Sequence, residues 1–323
     1  MGIRNLNKFF KENTKTSIYL CNLHELAGKK IVVDISIYLY KFTADNTLIE
    51  NIYLMLSLFN HYNIIPVFVF DGKPPDEKYS VILKRKEIKK NAEEEYKKLS
   101  EILQKKSYSD DYEKQEIINN MDVLKKKFVY INKNDITIVK NLIKYYGFTY
   151  YTSQYEADDL CCLLTIKEKV WACLSEDMDM FVYGCPRVIR YLSLLNHTAV
   201  IYDLNGILNE LGINQTELRQ ICVLSGTDYN VDNQFELDKS LKYFKKYYKL
   251  KNTKSIDFYT WLEEENIINN LDYLKDIYNK FDLEIKYINP TEIENIIVTS
   301  GSIMTNEIRN ILKEDGFIFP INS

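Results

Sequence analysis

The sequence predicts an α/β fold: a central, mostly parallel sheet flanked by helices, with a helical insertion and a helical C-terminal region. Three observations carry this. Lys30 to Ile35, Ile64 to Gly72 and Val170 to Asp177 are short β-rich runs spaced far enough apart for helices to cross between them. Each run meets an acid at its end, Asp34, Asp71 and Asp177, as strands do where an open sheet presents its carboxyl edge to a ligand. From Leu204 onward the pattern is almost entirely helical.

The elements follow in order. Residues 77 to 127 are highly charged, nearly free of glycine and rich in helix formers, so they leave the sheet as a helical insertion. Lys84-Arg85-Lys86, Lys89-Lys90 and Lys125-Lys126-Lys127 are its basic clusters, which a solvated helical hairpin would also show. Asp135 to Tyr146 predicts a helix that passes through Gly147 to a strand at Phe148 to Tyr151. A further helix starts near Tyr155 with Glu156, Asp158 and Asp159 in its first turn, where acids also suit the helix dipole. Helices are then expected at 204–211, 215–225, 235–249, 256–265 and 270–280, with weaker segments after Pro290. The core is placed at 1–230 and the helical region at 231–323, with no sharp boundary between them.

Asp34, Asp71, Glu156, Asp158, Asp177, Asp179 and Asp228 each lie where an apolar run ends or a helix begins. Carboxylates gathered within a few ångströms cannot all ionise without compensating positive charge. A hard oxygen donor set with few histidines favours Mg²⁺ or Mn²⁺ over zinc.

Met1-Gly2-Ile3, Asp34-Ile35-Ser36 with Tyr40, Phe70-Asp71-Gly72-Lys73-Pro74-Pro75, Glu156-Ala157-Asp158, Glu176-Asp177-Met178-Asp179 and Gly226-Thr227-Asp228-Tyr229 occur in one order along the chain. In order and spacing they resemble the flap endonucleases, within the XPG-type structure-specific 5′ nucleases, over roughly residues 1 to 230. The resemblance implies the PIN-like 5′ nuclease fold. It also implies a helical arch at about 77–127 over a 5′ single strand, and two Mg²⁺ ions for which Mn²⁺ substitutes. Asp34, Asp71, Glu156 and Asp158 would serve one ion and Asp177, Asp179 and Asp228 the other. Asp158 stands where the family has a glutamate, one methylene longer. Lys78 and Arg85 match the residues that reach from the arch base to the scissile phosphate, and their spacing of seven puts both on one helix face. Tyr40 matches a residue that stacks a terminal nucleobase, although a tyrosine there also suits a core. Gly2 and Lys84 complete the DNA-contacting set on this side.

Where the family carries a glycine-rich duplex-binding hairpin, this chain has no glycine between Gly226 and Gly301. Lys242 to Lys249, a helix of lysines interleaved with aromatics, is the candidate replacement through Lys245, Lys246 and Lys249; an amphipathic helix with tyrosines inward gives the same pattern. The closing Gly316-Phe317-Ile318-Phe319-Pro320 lacks the glutamine and spacing of a sliding-clamp peptide.

Composition excludes little. With 42 Lys and Arg against 46 Asp and Glu, the formal charge of -4 is not a nucleic-acid binder's bulk signature, so local charge must decide. Six cysteines without zinc spacing predict small core residues in a reduced, intracellular protein, and the lack of an apolar run of transmembrane length predicts a soluble one; the expected compartment is a nucleus or a site of viral replication. The expected activity is a Mg²⁺-dependent 5′ nuclease on branched or 5′-flap DNA. The alternatives are a junction or bubble cutter and a non-catalytic nucleic-acid-binding scaffold, and retention of all seven acids argues against the last.

Overall fold

A computed structural model describes residues 3–75, 78–105, 111–230, 235–250, 256–283 and 291–318. Strands β1 (Ile18–Asn22), β2 (Lys30–Asp34), β3 (Ile65–Phe70), β4 (Thr149–Thr152), β5 (Ala172–Leu174), β6 (Arg187–Ser193) and β7 (Thr198–Asp203) form one sheet in the order β1-β7-β6-β5-β2-β3-β4. The run β6-β5-β2-β3-β4 is parallel, and β7 and β1 add an antiparallel edge. β2, β3 and β5 are the three β-rich runs that end near acids, neighbours at the centre, and β4 is the strand expected at Phe148 to Tyr151. Their side chains are buried on both faces, as parallel strands between helical layers require.

The helices are α1 (Leu6–Asn13), α2 (Ile35–Ala44), α3 (Leu48–His61), α4 (Tyr79–Lys105), α5 (Asp111–Lys125), α6 (Lys133–Tyr145), α7 (Ala157–Ile166), α8 (Asp179–Tyr183), α9 (Leu204–Leu211), α10 (Gln215–Ser225), α11 (Leu237–Leu250), α12 (Phe258–Glu264), α13 (Leu271–Lys280), α14 (Thr291–Glu294) and α15 (Thr305–Glu314). Side chains of α2, α3, α6 and α15 pack one face of the sheet; those of α1 and α7 to α14 pack the other. The C-terminal helices thus share the second face's core with α7. Asn214 and Glu217 close a reciprocal capping box at the start of α10, and Asp257 and Asn270 cap α12 and α13.

Two features position the site. Leu6 and Phe10 of α1 are fully buried, Phe10 meeting the Phe181 ring edge-on at 5.2 Å. Burial of each is worth about 1.5–3 kcal/mol, enough to hold an eight-residue helix that would not persist alone. α4 and α5, the charged insertion, pack on each other as a hairpin that emerges just after β3.

Candidate active site

Asp34 is the last residue of β2 and the N-cap of α2, its Oδ1 accepting from Ser36 N at 3.2 Å. Ser175, fully buried beyond β5, donates to Asp34 Oδ2 at 3.0 Å and accepts from Asp177 N at 3.2 Å. Asp177 Oδ1 in turn accepts from Asp179 N at 3.0 Å. One hydrogen-bonded path therefore runs from β2 through the loop after β5 to the first turn of α8. Each step is a side-chain oxygen holding a backbone amide two residues on, or a direct bond between loops.

Asp71 lies just beyond β3 and is exposed, with Oδ1 accepting from Ala157 N at 2.8 Å. It caps α7 from another loop, where the formal N-cap Glu156 makes no such bond. Gly72 permits this crossing. A Cβ there would lie 1.9 Å from the Ser153 carbonyl oxygen, while Gly72 N donates to Tyr155 O at 2.7 Å. Gly72→Ala must push these backbones apart. We expect a stability loss on the order of 1–3 kcal/mol, read by thermal unfolding, with Asp71 displaced from α7; unchanged stability and activity would show that the crossing adapts.

Asp228 follows α10 in a turn anchored by buried Asn230, which accepts from Thr227 N and Oγ1 at 2.6 and 2.7 Å and donates to Val223 O at 2.9 Å. Two cations reach the acids from the base of α4. Lys78 Nζ lies 2.7 Å from Glu156 Oε2 and Arg85 Nη2 lies 2.7 Å from Asp228 Oδ2. Lys78 is buried and also sits over the Tyr229 ring at 4.8 Å, whereas the Arg85 side chain is half exposed.

The acids act on one another. Burial, with the nearby Asp71 and Asp177 charges, pushes Asp34 up to about 7 despite the Ser175 hydrogen bond. Burial, then Asp34 and Asp177, raises Asp158 well above the carboxylate range. Burial and Asp177 do the same to Asp179, with Lys78 opposing. Burial works against charge on Lys78, but Tyr229, Glu156 and Asp179 outweigh it and raise its pKa. Through these couplings and the two ion pairs, all seven sequence-identified acids fall in one constellation.

Two family models match the chain: the XPG N-terminal domain matches residues 1–92 and the XPG I-region matches residues 147–228. The chain belongs to the XPG family. Flap endonuclease 1-B of Xenopus laevis is 28% identical over 71% of the chain, which spans 61% of that relative's length. Flap endonuclease 1 of Encephalitozoon cuniculi is 29% identical over 71% of the chain and 68% of its own length. Among solved structures, the catalytic core of Rad2 in complex with DNA substrate superposes with a TM-score of 0.63 at 19% identity, covering 97% of this chain and 95% of that one. Flap endonuclease-1 from Methanococcus jannaschii gives 0.55 at 18% identity, covering 92% and 97%. Human GEN1 in complex with Holliday junction DNA gives 0.59 at 17%, covering 97% and 73%. These structures share the fold.

In this XPG-family site the donor set suits a hard cation. Asp179 Oδ1 is buried with no hydrogen-bond partner, and the charges of Asp177 and Asp228 act on this carboxyl against that of Lys78. Among the described residues no three acid, histidine or cysteine groups stand close enough together to form a ready-made metal-binding group. Mg²⁺ keeps several waters and takes only one or two carboxylates directly, so it does not need a cage closed by protein groups alone.

Several expectations change. Lys78 lies one residue before α4 and pairs with Glu156, whereas Arg85 lies within α4 and pairs with Asp228, so the two cations reach different acids of the same site. Glu156 precedes α7 as its N-cap. Asp159 is fully buried within α7, its charge felt by Tyr183 and Tyr229, so it belongs to the core beneath the site. Tyr40 is 48% exposed with Lys89 over its ring at 4.8 Å, which removes the core explanation. Lys84 lines a cavity of about 530 Å³ beside Asp228 and Tyr229. Gly2 and residues 231–234, after Asp228-Tyr229, lie outside the described residues. On α11, Phe244 and Tyr247 point inward against Phe258 while Lys245, Lys246 and Lys249 are exposed.

Sequence reasoning passed over Ser175 and gave Tyr229 no role. The signal for Ser175 was its spacing: Ser175-x-Asp177-x-Asp179 repeats a short oxygen acceptor every second residue, the pattern of successive side-chain-to-amide turns. The six cysteines are free and buried, and among the described residues no helix is long and apolar enough to cross a membrane.

Proposed function

We propose that this chain is a divalent-metal-dependent, structure-specific 5′ nuclease that hydrolyses phosphodiesters in 5′-flap or otherwise branched DNA. The observation that carries the reading is one constellation of acids at the carboxyl edge of the sheet, entered by Lys78 and Arg85 from the base of a charged helical hairpin. The flap endonuclease relatives and the DNA-bound Rad2 core support the substrate class.

In this reading Asp34, Asp71, Glu156 and Asp158 would hold one Mg²⁺ ion, directly or through water, and Asp177, Asp179 and Asp228 would hold a second, with Mn²⁺ able to substitute. Ions held there would supply the chemistry of phosphodiester hydrolysis, lowering the pKa of a water and offsetting negative charge that develops on oxygen. Lys78 and Arg85 donate to the scissile phosphate and stabilise the negative charge that grows in the transition state. Ser175 and Ser36 N fix both Asp34 oxygens, so this acid keeps its place as charge develops. Tyr40 offers an exposed ring to a terminal nucleobase, with the Lys89 ammonium beside it for the phosphate. The α4–α5 hairpin forms the arch over the 5′ strand.

Labelled 5′-flap, bubble and four-way-junction DNA, each incubated with Mg²⁺ and with excess chelator, tests the reading. Metal-dependent incision near the flap base is the expected result. Preference for the junction would favour a resolving enzyme of the same family, and binding of every substrate without incision would favour a scaffold. Full activity in chelator would overturn the metal assignment.

Duplex grip is proposed to rest on the exposed face of α11. Replacing Lys245, Lys246 and Lys249 with alanine should weaken duplex binding and lower the slope of log affinity against log salt by roughly two to three units. Their exposure opposite Phe244 and Tyr247 predicts little change in fold stability. An unchanged slope would mean that these lysines only solvate the helix.

A further inference from the structure

We infer that Arg190 and Asn7 form a latch through which the N-terminal helix α1 holds the loop carrying Asp177 and Asp179 in its ion-binding position. The inference rests on the metal-centre reading above and adds two positioning residues to it.

Along residues 175–179 the chain alternates. Ser175, Asp177 and Asp179 join the acid constellation, whereas the two residues between them, Glu176 and Met178, face Arg190. The Arg190 guanidinium is buried behind the loop and spreads over several acceptors. Nη2 donates to the Glu176 carbonyl at 2.9 Å, Nη1 lies 2.8 Å from the Met178 sulfur, and Nε is 3.6 Å from Glu176 Oε2. A planar fork fits this task, because its donors diverge in fixed directions that a lysine ammonium cannot reproduce.

The backbone of β6 is bent to complete the grip. Its pairing with β7 loses register between Arg190 and Ser193, and Tyr191 takes a left-handed φ of 54°. Such a conformation is uncommon for a bulky side chain and marks a constraint imposed from outside the residue. Its result is that Tyr191 N donates to Glu176 Oε1 at 2.6 Å, so the Glu176 side chain and carbonyl are held from adjacent positions of one strand.

Asn7 extends the latch to α1. Its Oδ1 accepts from Arg190 Nη1 at 3.1 Å and from Tyr202 Oη at 2.7 Å, and its Nδ2 donates to Tyr191 Oη at 2.8 Å. The same helix places Phe10 against Phe181 of α8, the helix that Asp179 begins. Docking of α1 therefore fixes the ion-holding loop twice, through Asn7 from behind and through Phe10 from beneath. None of these side chains touches the reacting atoms, so their effect must appear as ion affinity rather than as loss of a chemical group.

The test uses the full chain stripped of divalent metal. Mn²⁺ is titrated and followed by the paramagnetic resonance of the free ion, with thermal unfolding to establish that each variant is folded. Arg190→Lys and Asn7→Ala should each weaken Mn²⁺ binding by about 10- to 100-fold, as for other groups that orient metal-holding carboxylates. Single-turnover cleavage should fall at limiting Mn²⁺ and recover at saturating Mn²⁺, while DNA affinity without metal stays at the wild-type value. Asn7→Asp keeps the oxygen that accepts from Arg190 and Tyr202, so it should bind Mn²⁺ more tightly than Asn7→Ala. Asn7 is only partly buried, which keeps the test open if Arg190→Lys fails to fold. Folded variants that titrate like the wild type would overturn the latch alone; a wild-type chain that takes up no Mn²⁺ would overturn the metal centre as well.

Discussion

Asp179→Ala is expected to abolish cleavage by several orders of magnitude while leaving DNA binding largely intact, since charge stabilisation by bound ions dominates phosphodiester hydrolysis. The structure adds a second expectation of opposite sign. Asp179 is 4% exposed, its Oδ1 has no hydrogen-bond partner, and burial together with Asp177 raises its pKa. Such a carboxyl is a cost to the metal-free fold, so alanine should leave thermal stability in chelator unchanged or raise it. A residue kept at the expense of stability is the mark of a functional site. The two measurements together exclude unfolding as the reason for lost activity. Wild-type turnover in the variant would end the assignment of Asp179 to an ion. A large fall in stability would mean that the carboxylate is paired in the free protein.

The centre of this fold was legible because its elements obey single rules. β2, β3 and β5 are almost wholly apolar and an acid follows at or shortly after the end of each, and the insertion after β3 is too charged to be anything but exposed helix. The strands that escaped break those rules. β1 is an edge strand with Tyr19 and Leu20 facing solvent, so no face of it alternates cleanly. β6 carries Arg187 and a buried Arg190, and it turns into β7 through Asn196-His197, with His197 at φ 53°, instead of a glycine turn. Its arginine is buried because it serves the loop beside it, which no local pattern announces. The C-terminal chain was legible as helix but not as a path. Gly147 at φ 76° leaves no room for a Cβ against Gly301, whose N donates to Gly147 O at 2.7 Å. There the chain passes the β4 edge of the sheet, so Val298 packs on one face and Ile308 on the other.

The acids themselves were legible one by one; their partners were not, and the partners set the ranking of the two arch cations. Lys78→Ala and Arg85→Ala should each slow the chemical step by on the order of 2–4 kcal/mol, as for loss of one oriented charge donor. Their side effects should differ. Lys78 is buried and 2.7 Å from Glu156, so alanine leaves a recessed carboxylate without its cation, and fold stability should drop by about 1–3 kcal/mol. The Arg85 side chain is 51% exposed, and its pair with Asp228 is of the kind worth at most about 1 kcal/mol. Arg85→Ala should therefore unfold at nearly the wild-type temperature while cleaving slowly, which makes it the cleaner probe of the phosphate contact. Single-turnover rates at saturating DNA separate chemistry from binding for both. If both variants cleave bound DNA at the wild-type rate and lose only affinity, the arch base is an electrostatic tether, and stabilisation of the transition state falls to the acids and their ions alone.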